Sequence, residues 1–408
     1  MRIEDIVKHK EQTFIYMERY VNNGSPSGFD KKYTTSPTTS PRGQTSSFFV
    51  KILRFDESIE IETFGTKELG IGVRDFYCHP DNLKEELFQN LKDHYEIVGE
   101  LEVSPTASGR TVKIIGEGKG FLKLDYLGKL GRISRNLDRD HVVSAFECSR
   151  DIKEMILTKK CLPSTSLLDE SNGRVAYLPD GNGGFYEFGF LYREEVPFGT
   201  NEELYLIPGF SLFGVDVNAP KDRSIVLQLF DKSHKGINDF AYEDVFYPLV
   251  SSYFDVLTFS GNALEAHAQN TLVAIDSSFK LRYVVARDME SVDKDTNLKE
   301  FLHYKYLPIT RGYKYIKEGD YNYVIKHSFM YDFKMGFYLL DPLMEEFKKV
   351  PGFDEDKMLN RIKALAKTYI NRLPKDYFPE GKWYYYENKI FEPGKKRPYL
   401  ENTNVRYR

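Results

Sequence analysis

One tryptophan and three cysteines stand in 408 residues, and nowhere does the chain offer the run of about 18 apolar residues that a membrane-spanning helix needs. Cys78, Cys148 and Cys161 are far apart and odd in number, which excludes a disulfide framework and any zinc-ligand spacing. A reducing compartment, the cytoplasm, is the expected setting. The first residues, MRIEDIVKHKEQTFIYMERY, are charged from the start and lack an apolar core, so no signal peptide is expected. Excess charge of one sign is also missing: 57 Lys and Arg against 61 Asp and Glu give a net charge of −4. Neither a nucleic acid nor an anionic membrane is implied as a partner. No internal repeat of solenoid period occurs.

What is plentiful is aromatic. The chain holds 29 Tyr and 30 Phe, 15% aromatic residues in all, enough to dominate a large core. Periodicity predicts a helix over residues 1–21. Residues 22–47 are rich in Ser, Thr, Pro and Gly and read as a long, mobile loop. Phe48–Phe55 and Ile59–Phe64 read as strands. A helix is expected from Asp81 to His94, opened by Pro80, with His79 as a surface histidine at its entry. From Tyr95 to about Phe230 the texture is strand and turn. Residues 238–259 read as a helix kinked at Pro248, and Pro342–Lys349 and Asp354–Asn371 as two more. The polar tail Gly394–Arg408 is expected to fray. The fold class this implies is α+β: an antiparallel, β-rich central part and a helical C-terminal part shaped like a palm, with a cleft between them. In chain order this gives an N-terminal cap over 1–100, a β-rich part over 101–235 and a mostly helical, palm-like part over 236–408.

Two stretches carry chemistry. The first is Leu264–Glu290, where Glu265, His267, Gln269 and Asn270 precede two short apolar runs joined by Asp276-Ser277-Ser278 and followed by Arg287-Asp288. Such runs about a polar turn predict a β-hairpin. A hairpin returns to the end it left, bringing Asn270 and Asp288 together as an oxygen site for Mg²⁺. Protein kinases arrange an Asn and an Asp around their metals comparably. The second stretch is Ser104–Tyr126. Strand-like Val112–Ile115 and Phe121–Asp125 are joined by the Gly-rich run 116–120. The period of two puts Phe121, Lys123 and Asp125 on one face, away from Leu122 and Leu124. A strand-borne lysine beside such a turn suits a nucleotide phosphate, and Ser108, Arg110 and Thr111 add donors. The run alone reads better as a solvated hairpin turn. Downstream, Gly128–Arg135 carries Lys129, Arg132 and Arg135, either an anion site or a solvated basic turn.

Taken in order, Thr106–Thr111 (TASGRT), Lys123, the Gly131–Arg135 segment (GRISR), Tyr192-Arg193-Glu194 and Glu265–Asn270 (EAHAQN) followed by Arg287-Asp288 resemble the NRPS-independent siderophore synthetases. The resemblance covers roughly residues 100–320. It implies an ATP-dependent ligase that activates a carboxylic acid as an acyl-adenylate and passes the acyl group to an amine or alcohol. On this resemblance Ser108, Arg110, Thr111 and Lys123 bind the ATP phosphates, with His267 and Gln269 beside them. Glu265, Asn270 and Asp288 serve Mg²⁺, and Arg135, Arg132 and Arg193 hold the acid. Lys123, His267 and Arg135 are the catalytic set, with His267 either a general base or, as we favour, a hydrogen-bond donor. A homodimer is implied by the resemblance alone. The chain departs from the family in being shorter, mostly before residue 100. It also lacks the paired His-Pro motif, with only Cys78-His79-Pro80 in its place. Some ferric reductases look similar toward the C-terminus, but their chemistry needs a terminal cysteine cluster, and none lies beyond Cys161. Two other functions compete: a kinase-like phosphotransferase, and a non-catalytic nucleotide-binding scaffold.

Overall fold

A computed structural model describes residues 1–24, 36–43, 45–65, 69–116, 119–130, 133–304, 315–317, 323–386 and 399–408. The chain folds as two compact units, each assembled from separate segments: Phe29–Ser149 with Leu168–Phe198, and Met1–Gly28 with Arg150–Leu167 and Gly199–Arg408. The fold is α+β, as expected.

The first unit is built on an eight-stranded antiparallel sheet. Its strands run in the order Glu60–Gly65, Asn172–Pro179, Phe185–Arg193, Phe121–Leu124, Thr111–Ile114, Tyr95–Pro105, Phe48–Phe55, Asp75–Cys78. Alternation builds each strand's buried face. In Phe48–Phe55 the buried set is Phe48, Val50, Leu53 and Phe55. The change of parity after Val50 is a bulge between Ile52 and Leu53, where one extra residue re-aims every side chain that follows. Edge-to-face aromatic pairs, Phe76 with Phe190 at 5.2 Å and Phe88 with Phe188 at 5.1 Å, fill the core.

Several expectations for this unit need correction. The strand-and-turn texture is broken by a 19-residue helix, Arg139–Leu157. Val142, Ala145, Ser149 and Ile152 are buried at steps of three and four, a helical period. The helix Asp81–His94 is three short pieces, Asn82–Lys84, Glu86–Asn90 and Lys92–His94. Tertiary bonds hold its start: the Asn82 amide donates to Asp125 O at 2.9 Å and accepts from Leu127 N at 3.0 Å. His79 is not on the surface. It is 0% exposed, its ring against Phe48 and Tyr126, because the wholly buried strand Asp75–Cys78 delivers it inside. Burial, which disfavours the charged form, lowers its pKa to about 4. Of the long 22–47 loop, residues 25–35 and 44 lie outside the described residues. The Ser36–Gly43 turn is tied down, since Asp81 Oδ2 accepts from Ser36 N at 3.2 Å and from Thr39 Oγ1 at 3.1 Å.

The second unit holds a four-stranded sheet in the order Thr165–Leu167, Leu281–Ala286, Thr271–Ile275, Tyr205–Pro208. The expected hairpin is its centre, with Thr271 opposite Ala286. The N-terminal helix is two, Ile3–Lys8 and Lys10–Tyr20, parted at His9. Helices Gly209–Phe213 and Ile225–Ser233 replace more of the expected strand texture. At Pro248, which has no N–H to give to the preceding turn, wide π-helical turns over Phe240–Phe246 change to the α-helix Tyr247–Ser260. Helices Asp341–Lys348 and Glu355–Ile370 match expectation, the latter capped by Asp354 accepting from Lys357 N. The described end of the tail is not frayed. Leu400–Asn402 pairs with Trp383–Tyr385, and Arg408 Nε donates to Asp332 Oδ2 at 2.8 Å. Among the described residues no helix is long and apolar enough to cross a membrane, and all three cysteines are free thiols.

Candidate active site

Each unit holds one set of the singled-out side chains. In the second unit they gather at the open end of the hairpin. His267 N donates to Glu265 O, and Asn270 N and Thr271 N donate to His267 O, making Glu265–Asn270 a tight turn into the Thr271–Ile275 strand. The turn sits directly on the helix Gly209–Phe213. A Cβ on Gly209 would lie 2.7 Å from Thr271 O and 2.8 Å from Ala268 O, so only glycine permits this approach. Across the hairpin, Arg287 N donates to Asn270 O at 3.0 Å. Asp288 comes next, in a left-handed conformation with φ of 72°. Asn270 and Asp288 are therefore brought to the same end, as the hairpin predicts.

The tautomer of His267 follows from its contacts. Nδ1 accepts from Gln269 N at 3.1 Å and Asn270 N at 3.3 Å. An acceptor at Nδ1 of a neutral imidazole places the proton on Nε2. Burial, which outweighs the opposing pull of the Glu265 and Asp288 carboxylates, lowers the pKa to about 4. The ring is thus neutral near pH 7 and presents a donor at Nε2, which lies 3.8 Å from Glu265 Oε2. Glu265 Oε1 pairs with Lys334 Nζ at 2.5 Å, and Glu265 Oε2 accepts from the Asn270 amide at 3.4 Å. The Arg287 guanidinium is fixed by Gln269 O at 2.6 Å and Glu18 Oε1 at 2.6 Å.

In the first unit the set lies on one face of three central strands. Thr111 stands opposite Lys123, and Lys113 opposite Phe121; Leu191 and Arg193 stand opposite Lys123 and Phe121 on the other side. Residues directly opposite share a face. The other face, with Val112, Ile114, Leu122, Leu124, Phe190 and Tyr192, is in the apolar core. Lys123 does face away from its leucines, but it is not solvated: it is 3% exposed. Two further cations on this face are paired, Lys113 with Glu195 and Arg193 with Glu170 at 2.5 Å. Before these strands, Gly109 with φ of 75° closes a turn. There Thr106 Oγ1 donates to Thr111 O at 2.7 Å and Ser108 Oγ accepts from Thr111 N at 2.8 Å. Arg110 is buried, its Nη1 donating to Arg135 O at 2.7 Å. Asp125, next on the Lys123 face, accepts from Leu137 N and Tyr186 OH. Burial raises its pKa to about 7.

The structure thus groups Glu265, His267, Gln269, Asn270 and Asp288 in one cluster, and Ser108, Arg110, Thr111, Lys123 and Arg193 in the other. Arg135 is exposed on the Ile133–Arg135 strand, while Arg132 lies outside the described residues. Sequence reasoning missed Glu18, Lys334 and Glu170, for which no local pattern exists. Lys113 was within reach of the same period of two that found Lys123. For Mg²⁺, the donor set of two carboxylates and an amide has the hard oxygen chemistry that ion takes. Among the described residues, no group of three or more His, Cys, Asp and Glu side chains is placed to hold a metal ion.

No family model matches the chain, and no curated protein matches it. Solved structures do. The petrobactin biosynthesis protein AsbB of Bacillus anthracis aligns with a TM-score of 0.72 at 12% identity, over 98% of this chain and 78% of its own. The ATP-bound aerobactin synthetase IucA of Klebsiella pneumoniae aligns with a TM-score of 0.69 at 14% identity, over 98% and 80%. The aerobactin synthetase IucC of the same organism aligns with a TM-score of 0.68 at 14% identity, over 92% and 72%. The likeness runs through nearly the whole chain, well beyond residues 100–320. The protein has the fold of the NRPS-independent siderophore synthetases.

Proposed function

We propose that the protein is an ATP-dependent ligase that adenylates a polar carboxylic acid and transfers the acyl group to an amine or hydroxyl, releasing AMP and pyrophosphate. The observation that carries this reading is the buried Lys123 beside Thr111 on a cation-bearing sheet face, in a fold shared with a synthetase solved with ATP. Adenylation needs positioning and charge neutralisation at the α-phosphate more than covalent help from the protein. Lys123 and Arg110 supply the cations, and Ser108 and Thr111 shape the turn that presents them. His267 donates from Nε2 to a phosphate or carboxylate oxygen, with Gln269 beside it. Since Nε2 already carries a proton and Nδ1 is occupied by backbone N–H groups, a general-base role is disfavoured. Glu265, Asn270 and Asp288 hold Mg²⁺, which when bound neutralises phosphate charge. Arg135 is the anchor of the acid, with Arg132. Arg193, engaged by Glu170, braces the sheet face. The cytoplasm suits the free thiols.

Hydroxylamine trapping tests the reading. ATP, Mg²⁺ and a panel of carboxylic acids are incubated with the protein, and hydroxamate, AMP and pyrophosphate are measured. ADP as the sole nucleotide product would replace the ligase with a phosphotransferase. Neither ATP binding by calorimetry nor turnover would leave a scaffold.

A further inference from the structure

Arg135 is exposed, yet the backbone that carries it is held residue by residue. It ends the two-stranded ribbon Tyr126–Leu130 and Ile133–Arg135, where it stands opposite Tyr126. Arg110 Nη1 donates to Arg135 O at 2.7 Å and to Asn136 O at 3.4 Å. Leu137 N donates to Asp125 Oδ2 at 2.7 Å. Leu137 O lies so close to Gly189 that a Cβ there would run into it, an approach that glycine permits. Asp138 O and Oδ1 accept from Val142 N and His141 N at 3.1 and 2.9 Å, which caps the helix Arg139–Leu157. A long side chain reaches a fixed place on its ligand only when the backbone beneath it is fixed.

The buried carboxylate in this brace is Asp125, 0% exposed. Its bond to Leu137 closes the base of the ribbon, one leg beginning at Tyr126 and the other ending at Arg135. Asp125 is itself pinned: its N donates to Gly189 O at 3.1 Å, its O accepts from the Asn82 amide at 2.9 Å, and Oδ1 accepts from Tyr186 OH at 3.0 Å. Lys123 precedes it by two residues on the same face of the strand. Burying a carboxylate is costly, and burial raises the pKa of this one to about 7. Carboxylates perturbed in this way gather at functional sites, and the ligase reading gives Asp125 no part.

We propose that Asp125 is a positioning residue for the acid substrate: through Leu137 it sets the place from which Arg135 reaches the carboxylate, and through its own strand it keeps that place in register with Lys123 and the nucleotide phosphates. The inference rests on the ligase reading, with Arg135 as the anchor.

Hydroxamate formation by the full chain, with acid and ATP titrated separately, is the test. Asp125→Leu removes the acceptor, while Asp125→Asn keeps an oxygen for Leu137 N. Asp125→Leu should weaken the acid's apparent constant by about tenfold, the scale of one lost hydrogen bond, with the ATP constant unchanged. Asp125→Asn should restore the acid constant to that of the parent. In an Arg135→Lys background Asp125→Leu should weaken the acid no further, because a residue that acts through Arg135 has nothing left to position; a merely structural loss would add. Tyr186→Phe, which removes one hydroxyl and keeps the ring, carries the test if Asp125→Leu does not fold. It should weaken the acid by about threefold, the lower scale of a lost hydrogen bond, and spare ATP. Equal losses for acid and ATP, additive losses with Arg135→Lys, or an acid constant unchanged in both Asp125→Leu and Tyr186→Phe overturn the inference alone. A parent that makes no hydroxamate with any acid fails the ligase reading, and this inference with it.

Discussion

The two polar clusters are built on different plans. In the eight-stranded unit the cations stand on a regular sheet face, and each position follows from strand register: Thr111 fixes Lys123, and Phe121 fixes Lys113 and Arg193. In the other unit the groups sit on a turn, where no period applies. Their placement comes from backbone bonds to His267, the close approach at Gly209, and two ion pairs from remote elements, Glu18 to Arg287 and Lys334 to Glu265. A sheet positions functional groups by repetition. A turn positions them by individually built supports, so single supports should matter more in the second cluster.

Glu18→Ala is the hardest test of that difference. Arg287 and Glu18 are 6% and 1% exposed, and removing one partner of a buried pair costs about 3–5 kcal/mol. Urea unfolding should show that loss. A loss below about 1 kcal/mol, the scale of exposed pairs, would mean the turn needs no brace from the N-terminal helix.

In the sheet cluster, Lys123→Met keeps the volume of a buried side chain and removes its charge. Turnover is expected to fall by about tenfold to a thousandfold, the scale for one electrostatic contact, in a variant that still folds. Unchanged adenylation in a folded variant would take Lys123 out of the site. Arg135→Lys is milder. Lysine lacks the planar fork that grips a carboxylate, and losing one charged hydrogen bond costs about 1.5–3 kcal/mol. That is roughly one to two decades in the acid's apparent affinity, and ATP affinity should not change. An unchanged constant for the acid refutes the anchor.

His267 separates donor from base. Gln can donate from nearly the place of Nε2, so His267→Gln should keep about tenfold more activity than His267→Ala; a donor's loss is on the scale of one electrostatic contact. Equal loss in the two would restore the base. The smallest effect is on acid stability. His267 has a pKa of about 4 in the fold against the usual 6.5, so the unfolded chain binds the extra proton between those values. Stability must fall as pH drops from about 6.5 toward 4. Asp125, raised to about 7, works oppositely, its contribution falling as pH rises toward 7. His267→Gln should therefore lose less stability than the parent between pH 6.5 and 4.5. Identical slopes in urea unfolding would show that His267 titrates normally.

The sequence by itself determined what short-range physics governs. The period of two around Lys123 separated its face from the leucines, and the apolar runs about Asp276-Ser277-Ser278 made the hairpin and set Asn270 near Asp288. The ordered motifs pointed to the right fold, because close groups in sequence keep their spacing in any tertiary setting. Tertiary structure decided the rest. Whether His79 is wet or buried depends on where the Asp75–Cys78 strand lies, not on Pro80. The helix Arg139–Leu157, by contrast, did carry a local signal, since its buried residues recur at three and four. The burial that lowers the pKa of His267, the brace from Glu18 to Arg287 and the pairing of Glu265 with Lys334 all depend on residues far apart in the chain. Desolvation and long-range ion pairing have no local signature, so these properties exist only once the chain has folded.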